Sequence, residues 1–135
     1  MAARRYVQTG FSIYLNMSKQ RDILNHMNAA PLIWDEWLEV GFNPTKPLEI
    51  DFDFYSTNKK KATEFYNFLN EFCSKISMTE RTTLLIFKGW DINASIENIW
   101  SLEDLKNIIA YIGVEALKFD TNLEGYGALI SSKNK

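Results

Sequence analysis

The chain has 135 residues, the size of one domain, and its 46% apolar and 24% charged content is ordinary for a globular protein. Its 15 basic and 17 acidic residues give a formal net charge of −2, so the basic stripe of a nucleic-acid-binding protein is absent and direct binding to RNA or DNA is not expected. Cys73 is the single cysteine, which excludes an intramolecular disulfide, and no apolar run is long enough to span a membrane, so the expected location is the reducing cytoplasm.

The N-terminal segment combines a strand-like pattern with helix-like ones. Phe11–Leu15 alternates in the manner of a strand, which would be able to extend a sheet edge or to pair across a homodimer. Ser18 is placed as a helix N-cap, and Pro31 either ends that helix or begins a second one. Gly41 is placed as a C-cap before the rigid connection 43–47. Residues 1–46 are therefore predicted to be an extension with a candidate strand and one or two helices.

The clearest strand pattern lies in Leu48–Tyr55. Its even-numbered residues are apolar and its odd-numbered residues are mostly acidic, which indicates a sheet with one buried face. Ser56-Thr57-Asn58 provides turn and N-cap chemistry, and a helix with one apolar stripe is predicted to follow as far as Phe72.

The second half of the chain is predicted to contain two strands, a helix and a last strand. Residues 75–79 form the first strand, Glu80-Arg81 the turn, and an extended stretch begins near Thr82 with a bulge or bend at Gly89. Ser101 and Asp104 resemble a capping box, which predicts a helix start. The last strand is predicted at 126–130.

The predicted elements from residue 47 to residue 131 follow the order β-α-β-β-α-β, which is the ferredoxin-like split βαβ motif. The predicted fold class is therefore α+β, a ferredoxin-like sandwich with the N-terminal helical extension 1–46 and a polar tail at 132–135. The helices would cover one face of an antiparallel sheet and leave the other for solvent, the N-terminal helices or a partner.

Side chains suited to catalysis or metal binding are scarce. His26 is the single histidine and lies far in sequence from Cys73, so no nucleophile–base pair is indicated. One histidine and one cysteine do not complete a tetrahedral zinc site without carboxylates. Asp51 and Asp53 lie about 7 Å apart on one strand face, where a solvated pair is favoured over acid–base chemistry. The segment Gly125–Gly127 lacks the Lys-Ser/Thr of a phosphate-binding loop. The chain is predicted to be non-enzymatic, without metal or cofactor.

Three segments carry a family pattern in the order of the predicted elements. They are Trp37-Leu38-Glu39-Val40-Gly41-Phe42, Pro47-Leu48-Glu49-Ile50-Asp51-Phe52-Asp53-Phe54-Tyr55 and Glu124-Gly125-Tyr126-Gly127. These segments resemble the helix end, the opening strand and the closing Asp-Gly-Trp-Gly of the ribonuclease E inhibitor family. Trp90 also lies near the position at which the third strand of these proteins often carries a tryptophan. The likeness covers about residues 32–131. It departs from the family at Glu124 and Tyr126, and the strongly acidic tail of the founding member is absent.

The resemblance implies a non-enzymatic regulator that binds a protein partner, an endoribonuclease, and alters mRNA decay. Two alternatives remain open. One is an immunity or antitoxin-type protein whose acidity neutralises a basic toxin; the other is a small hydrolase or ligand-binding module in which His26, Asp51 and Asp53 share one pocket. The residues predicted to form the interaction site or the family motif are Asp51, Asp53, Tyr55, Trp90, Glu124, Gly125, Tyr126 and Gly127.

Overall fold

Three helices and four strands make up the described part of the chain. The computed structural model describes the backbone of residues 10–130 and the side chains of residues 18–130, so the predicted tail at 132–135 lies outside the described residues. No described helix has the length and apolarity needed to cross a membrane. The elements are α1 (Gly10–Glu39), β1 (Leu48–Ser56), α2 (Lys59–Asn70), β2 (Lys75–Thr83), β3 (Phe87–Asn98), α3 (Leu102–Lys118) and β4 (Thr121–Ala128).

The four strands form one antiparallel sheet in the order β2-β3-β1-β4. β1 is central, since Phe52 lies opposite Ala94 of β3 and opposite Tyr126 of β4. The predicted alternation of β1 is present, because Ile50, Phe52 and Phe54 are all buried. The α+β class is confirmed, and the strand order is compatible with a ferredoxin-like sandwich.

The helices pack on the sheet face that carries these apolar side chains. Phe65 of α2 meets Phe54 edge-on, with ring centroids 4.9 Å apart. α1 lies against α3, where Ile23 fits over Gly113, and it joins the same core through Trp37. Each fully buried side chain of this size contributes about 1.5–3 kcal/mol relative to an exposed one. The helices therefore cover one face of the sheet, and the odd-numbered residues of β1 lie on the other.

The N-terminal extension is one helix in the described residues. α1 begins at Gly10, so the strand predicted at Phe11–Leu15 is wrong, and with it any strand pairing of this segment at a sheet edge or between two copies; Ser18 is an interior position rather than an N-cap. Five alternating residues are too short to outweigh a helix that continues cooperatively from the packed segment that follows. Pro31 also lies inside α1, because burial of Ala30 and Trp37 on either side holds the helix together.

The end of α1 is the predicted glycine cap. Gly41 has φ 111°, in the left-handed region that favours glycine. The Phe42 N–H donates to the Trp37 carbonyl at 2.9 Å and the Gly41 N–H donates to the Leu38 carbonyl at 3.3 Å, which are the two bonds of a Schellman motif. The Trp37 and Phe42 rings, 6.0 Å apart, supply its apolar contact.

The β2–β3 turn lies at Leu84–Ile86, so the turn predicted at Glu80-Arg81 is wrong. Both of those residues are paired strand residues of β2. Leu84 and Leu85 have φ 51° and 66°, and the Ile86 N–H donates to the Thr83 carbonyl at 3.3 Å. The apolar run was expected to be strand, but side-chain pairs further back fix the register of the hairpin and leave the run at its tip.

The other boundaries differ less from the prediction. Asn58 caps α2, and Ser101 with Asp104 forms the predicted capping box of α3. α2 ends at Asn70, two residues earlier than predicted. β4 begins at Thr121, five residues earlier than predicted, because its glycines weaken the strand pattern of the sequence.

Candidate protein-binding face

The sheet face that turns away from the helices is polar across all four strands. We call it the open face. Residues directly opposite one another on paired strands point to the same side of a sheet, so the registers assign each residue to a face. As far as the Arg81–Gly89 pair, the open face consists of Glu49, Asp51, Asp53 and Tyr55 of β1, Lys75, Ser77, Thr79 and Arg81 of β2, Gly89, Asp91, Asn93, Ser95 and Glu97 of β3, and Asn122, Glu124, Gly125 and Gly127 of β4.

Carboxylates dominate the open face. Six of them lie on it against two cations, so its formal charge is −4 whereas that of the whole chain is −2. Both cations are already paired on the face: Lys75 Nζ lies 3.2 Å from Glu49 Oε1, and Arg81 pairs with Asp91 and Glu124. Since the acidic excess is not neutralised on the face itself, it attracts a cationic partner.

Asp51 and Asp53 lie beside the glycines of the closing motif. The Ser95 hydroxyl donates to Asp51, and Asn93 Nδ2 donates to Asp53 Oδ1 at 2.7 Å. On the β4 side their opposite residues are Gly127 and Gly125, where an added Cβ would meet nothing within 4 Å. Both carboxylates are thus oriented from the β3 side and open to approach from the β4 side.

Arg81 bridges the open face from β2 to β4. Its Nε donates to Asp91 Oδ2 at 3.0 Å, and its Nη2 donates to Glu124 Oε1 at 3.2 Å. The guanidinium lies 4.1 Å from the centre of the Tyr55 ring, within the range of a cation–π contact. The hydrogen bond with Asp91 raises the pKa of Arg81 above its ordinary value, and the charges of Asp91 and Glu124 act in the same direction.

Gly89 provides the space for the Tyr55 ring below Arg81. A Cβ at Gly89 would lie 1.9 Å from Tyr55 Oη and 2.2 Å from Cζ. Gly89 pairs with Arg81 without a shift of register, so the bulge or bend predicted at this glycine is wrong. The glycine is needed for a close contact across strands rather than for a change of strand direction.

Arg81, Gly89 and Asp91 belong to the candidate site, and the sequence pattern does not reveal them. The pattern places Arg81 in a turn, and an Arg in a turn has no defined strand neighbour. Once β2 is extended through Arg81, the register brings it opposite Gly89 and next to Asp91. Opposite charges at Glu80 and Lys88 and at Arg81 and Asp91 are the signal that would have indicated this register. Both pairs form across the two strands, with Lys88 Nζ 3.4 Å from Glu80 Oε2.

A hollow of about 330 Å³ lies over the middle of the open face. Pockets for small molecules are mostly apolar and enclosed, whereas the side chains that point into this hollow are charged or polar. The hollow therefore suits an extended cationic segment better than a buried small ligand. Its polar lining is formed mainly by Asp53, Ser77, Arg81, Asp91, Asn93 and Glu124.

Trp90 and Tyr126 lie on the helix-covered side of the sheet. Trp90 packs against the core. Tyr126 has its ring 6.4 Å from that of Trp37 and 6.0 Å from that of Phe52, and its hydroxyl donates to the His26 carbonyl at 3.4 Å. Burial raises the pKa of Tyr126 to about 12. Of the eight predicted residues, these two support the core, and the other six lie on the open face.

The alternative pocket of His26, Asp51 and Asp53 is not formed. His26 is on α1 at the β4 edge, with Nε2 3.2 Å from the Leu123 carbonyl oxygen. The cavity beside His26 is lined by neither aspartate, and the hollow beside Asp53 does not include His26. Burial raises the pKa of Cys73 to about 11, so its sulfur is a thiol at neutral pH rather than a nucleophilic thiolate. In the described residues no cluster of three His, Cys, Asp or Glu suits a metal ion.

Comparison with known proteins identifies the family. The family model described as regulator of ribonuclease activity B matches residues 31–128. The match begins within α1, ends with the last residue of β4 and so contains the whole open face. No curated protein matches the chain in a sequence comparison. The resemblance noted in the sequence is confirmed, and the chain belongs to the regulator of ribonuclease activity B family.

Proposed function

We propose that this protein is a non-enzymatic regulator that binds an endoribonuclease through the open face and thereby alters RNA decay. The observation that carries the proposal is the acidic open face, with a formal charge of −4, inside the segment that matches the family. The proposed fold type is the ferredoxin-like sandwich with α1 as its extension, and the proposed place of action is the cytoplasm, where mRNA decays.

The charge of the face supports this choice of partner. An enzyme that acts on RNA holds phosphates with Lys and Arg side chains, so its RNA-binding surfaces are cationic. An acidic sheet face complements such a surface and competes with RNA for it. Asp51 and Asp53 are suited to this contact because the glycines opposite them leave the approach from β4 open. The family match favours this partner over a toxin, and the separation of His26 from the aspartates disfavours a hydrolase.

The proposal is tested by neutralising the two aspartates. In Asp51→Asn/Asp53→Asn the amide oxygens still accept the hydrogen bonds of Ser95 and Asn93, so the fold is retained. Binding to purified ribonuclease E is measured by titration calorimetry at salt concentrations from about 50 to 300 mM. We expect Kd to rise about tenfold at low salt and to depend less on salt, since two attractive charges are gone.

The matched control carries the same chemical change on α1. Asp35→Asn/Glu36→Gln removes two exposed charges outside the open face and is expected to bind like the wild type. Cleavage of a labelled RNA by the nuclease is followed in parallel, with inhibition expected to weaken only for the open-face variant. If the wild type does not bind the nuclease, or if both variants lose affinity equally, the proposed function is wrong.

A further inference from the structure

The β2–β3 hairpin projects beyond the rest of the sheet. β1 ends at Ser56, opposite Trp90, whereas β2 and β3 continue to pair as far as Thr83 and Phe87. Three further residues on each strand, at about 3.3 Å per residue, carry the hairpin about 10 Å past β1. We call its end, Leu84–Phe87, the arm tip.

The arm tip exposes four consecutive apolar side chains. Leu84, Leu85, Ile86 and Phe87 are 81%, 93%, 73% and 57% exposed. Single exposed apolar residues are ordinary on a protein surface, but a contiguous apolar group at the end of a projecting arm indicates a contact site. A convex tip of this kind fits into a pocket and does not itself enclose a ligand.

Leucine side chains strain the backbone of the arm tip at two positions where asparagine or glycine would not. Leu84 and Leu85, the two central residues of the turn closed by the Ile86 N–H and the Thr83 carbonyl, both have positive φ, a conformation that Asn and Gly adopt readily and that leucine rarely adopts. Leucine at these positions therefore lowers the stability of the isolated domain while it displays apolar surface. Exposure and strain are independent observations, and both are accounted for by a binding role for the tip.

We propose that the arm tip is an apolar anchor that inserts into a hydrophobic pocket of the protein bound by the open face. The inference rests on the proposed function, because it assigns the tip to the same partner. Arg81 lies on the open face only three residues before Leu84, so a molecule covering the face continues onto the arm without a gap. The charged face would then guide association and the apolar tip would slow dissociation.

A protein pocket fits the arm tip better than a membrane or a second copy of the chain. The open face next to the tip has a formal charge of −4 and is repelled by anionic lipid headgroups. A tip-to-tip dimer would involve four residues of each copy, far fewer than the roughly 20–30 residues per side of a stable interface. A basic protein with an apolar pocket satisfies both the tip and the face.

The test replaces the strained leucines with the residues that the turn prefers. Leu84→Asn/Leu85→Gly relieves the positive φ and removes exposed apolar surface, so its thermal midpoint is expected to rise by about 4 °C. Its affinity for purified ribonuclease E, measured as above, is expected to fall about tenfold or more with the salt dependence unchanged. A variant that is more stable yet binds less tightly is not explained by misfolding.

A control variant, lipid vesicles and a measurement of the oligomeric state distinguish the possible results of this test. Leu24→Gln/Leu32→Gln removes two exposed leucines of α1, 55% and 71% exposed, and should bind as tightly as the wild type. Unchanged affinity of the tip variant overturns the anchor alone, whereas absence of binding by the wild type overturns the anchor together with the proposed function. Tip-dependent sedimentation with phosphatidylglycerol vesicles, or a tip-dependent dimer in analytical ultracentrifugation, would also overturn it by assigning the tip to lipid or to a second copy.

Discussion

A methyl group at Gly89 would lie 1.9 Å from Tyr55 Oη, inside the space that the phenol occupies below Arg81. We expect Gly89→Ala to push the Tyr55 ring out of this position and to lower the free energy of unfolding by about 1–3 kcal/mol, as overpacking commonly does. Urea unfolding followed by tryptophan fluorescence measures the change.

A double-mutant cycle shows whether a clash with the Tyr55 ring causes the loss of stability in Gly89→Ala. Tyr55→Ser removes the ring, so adding Gly89→Ala to it should cost less than adding the same change to the wild type. Gly125→Ala is the matched control, because its Cβ meets nothing within 4 Å, and its effect on unfolding should be small. Purely additive costs in the cycle would show that the ring and the added methyl group do not compete for space.

At the level of single elements, α1 continues through a proline because its tertiary packing outweighs the tendency of proline to end a helix. Pro31 lacks the N–H that a residue at this position would donate to the carbonyl of Met27, and its ring crowds that carbonyl. The helix continues because Ala30 and Trp37 are buried on either side of the defect. The helix thus contains a local weakness that the tertiary contacts offset.

Pro31→Ala is expected to stabilise the protein, unlike most substitutions. Restoring the backbone hydrogen bond and relieving the clash should add about 2 kcal/mol to the free energy of unfolding, after the greater flexibility of the unfolded chain is allowed for. Thermal and urea unfolding measure it. Asn28→Ala, an exposed change in the same helix that leaves the backbone bonds intact, should alter stability by less than about 0.7 kcal/mol. A decrease in stability of Pro31→Ala would mean that the proline ring itself holds α1 on the core.

For the molecule as a whole, the periodic segments and the helix caps could be predicted from the sequence. Features that depend on contacts between residues distant in the chain could not be predicted. The alternation of Ile50, Phe52 and Phe54 and the caps at Gly41 and Ser101 are local, so they could be predicted. The position of the β2–β3 turn depends on cross-strand pairing, which no local pattern specifies.

The candidate site was predictable to the same extent. The acidic strand positions and the glycines of the closing motif could be assigned to the candidate site from the sequence because they alternate or match a motif. The Arg81 bridge was missed because it joins residues from all four strands, and that arrangement exists only once the register is formed. The arm tip was missed since an apolar run predicts burial, whereas here it lies at the end of a hairpin.

Two partly buried groups that ionise at high pH, Cys73 between α2 and β2 and Tyr126 in β4, link the stability of the whole domain to pH. Burial raises the pKa of Cys73 from 9.0 to about 11 and that of Tyr126 from 10.0 to about 12. Both groups are neutral when protonated. Between these values the unfolded chain releases protons that the folded chain retains, so the free energy of unfolding falls as pH rises. The contribution is complete below about pH 9 and is lost as pH passes through about 11 to 12.

We therefore expect the free energy of unfolding to fall by about 2 kcal/mol between about pH 9 and pH 12. Each group contributes roughly 1 kcal/mol, since both side chains are partly exposed and solvent weakens the effect of burial. Urea unfolding at a series of pH values measures this slope. Cys73→Ala/Tyr126→Phe should be much less sensitive to pH over that range, because neither replacement ionises. Tyr111→Phe changes an exposed phenol and serves as the matched control, with the slope of the wild type. An alkaline slope that is equally steep in the double variant would show that other groups destabilise the fold at high pH.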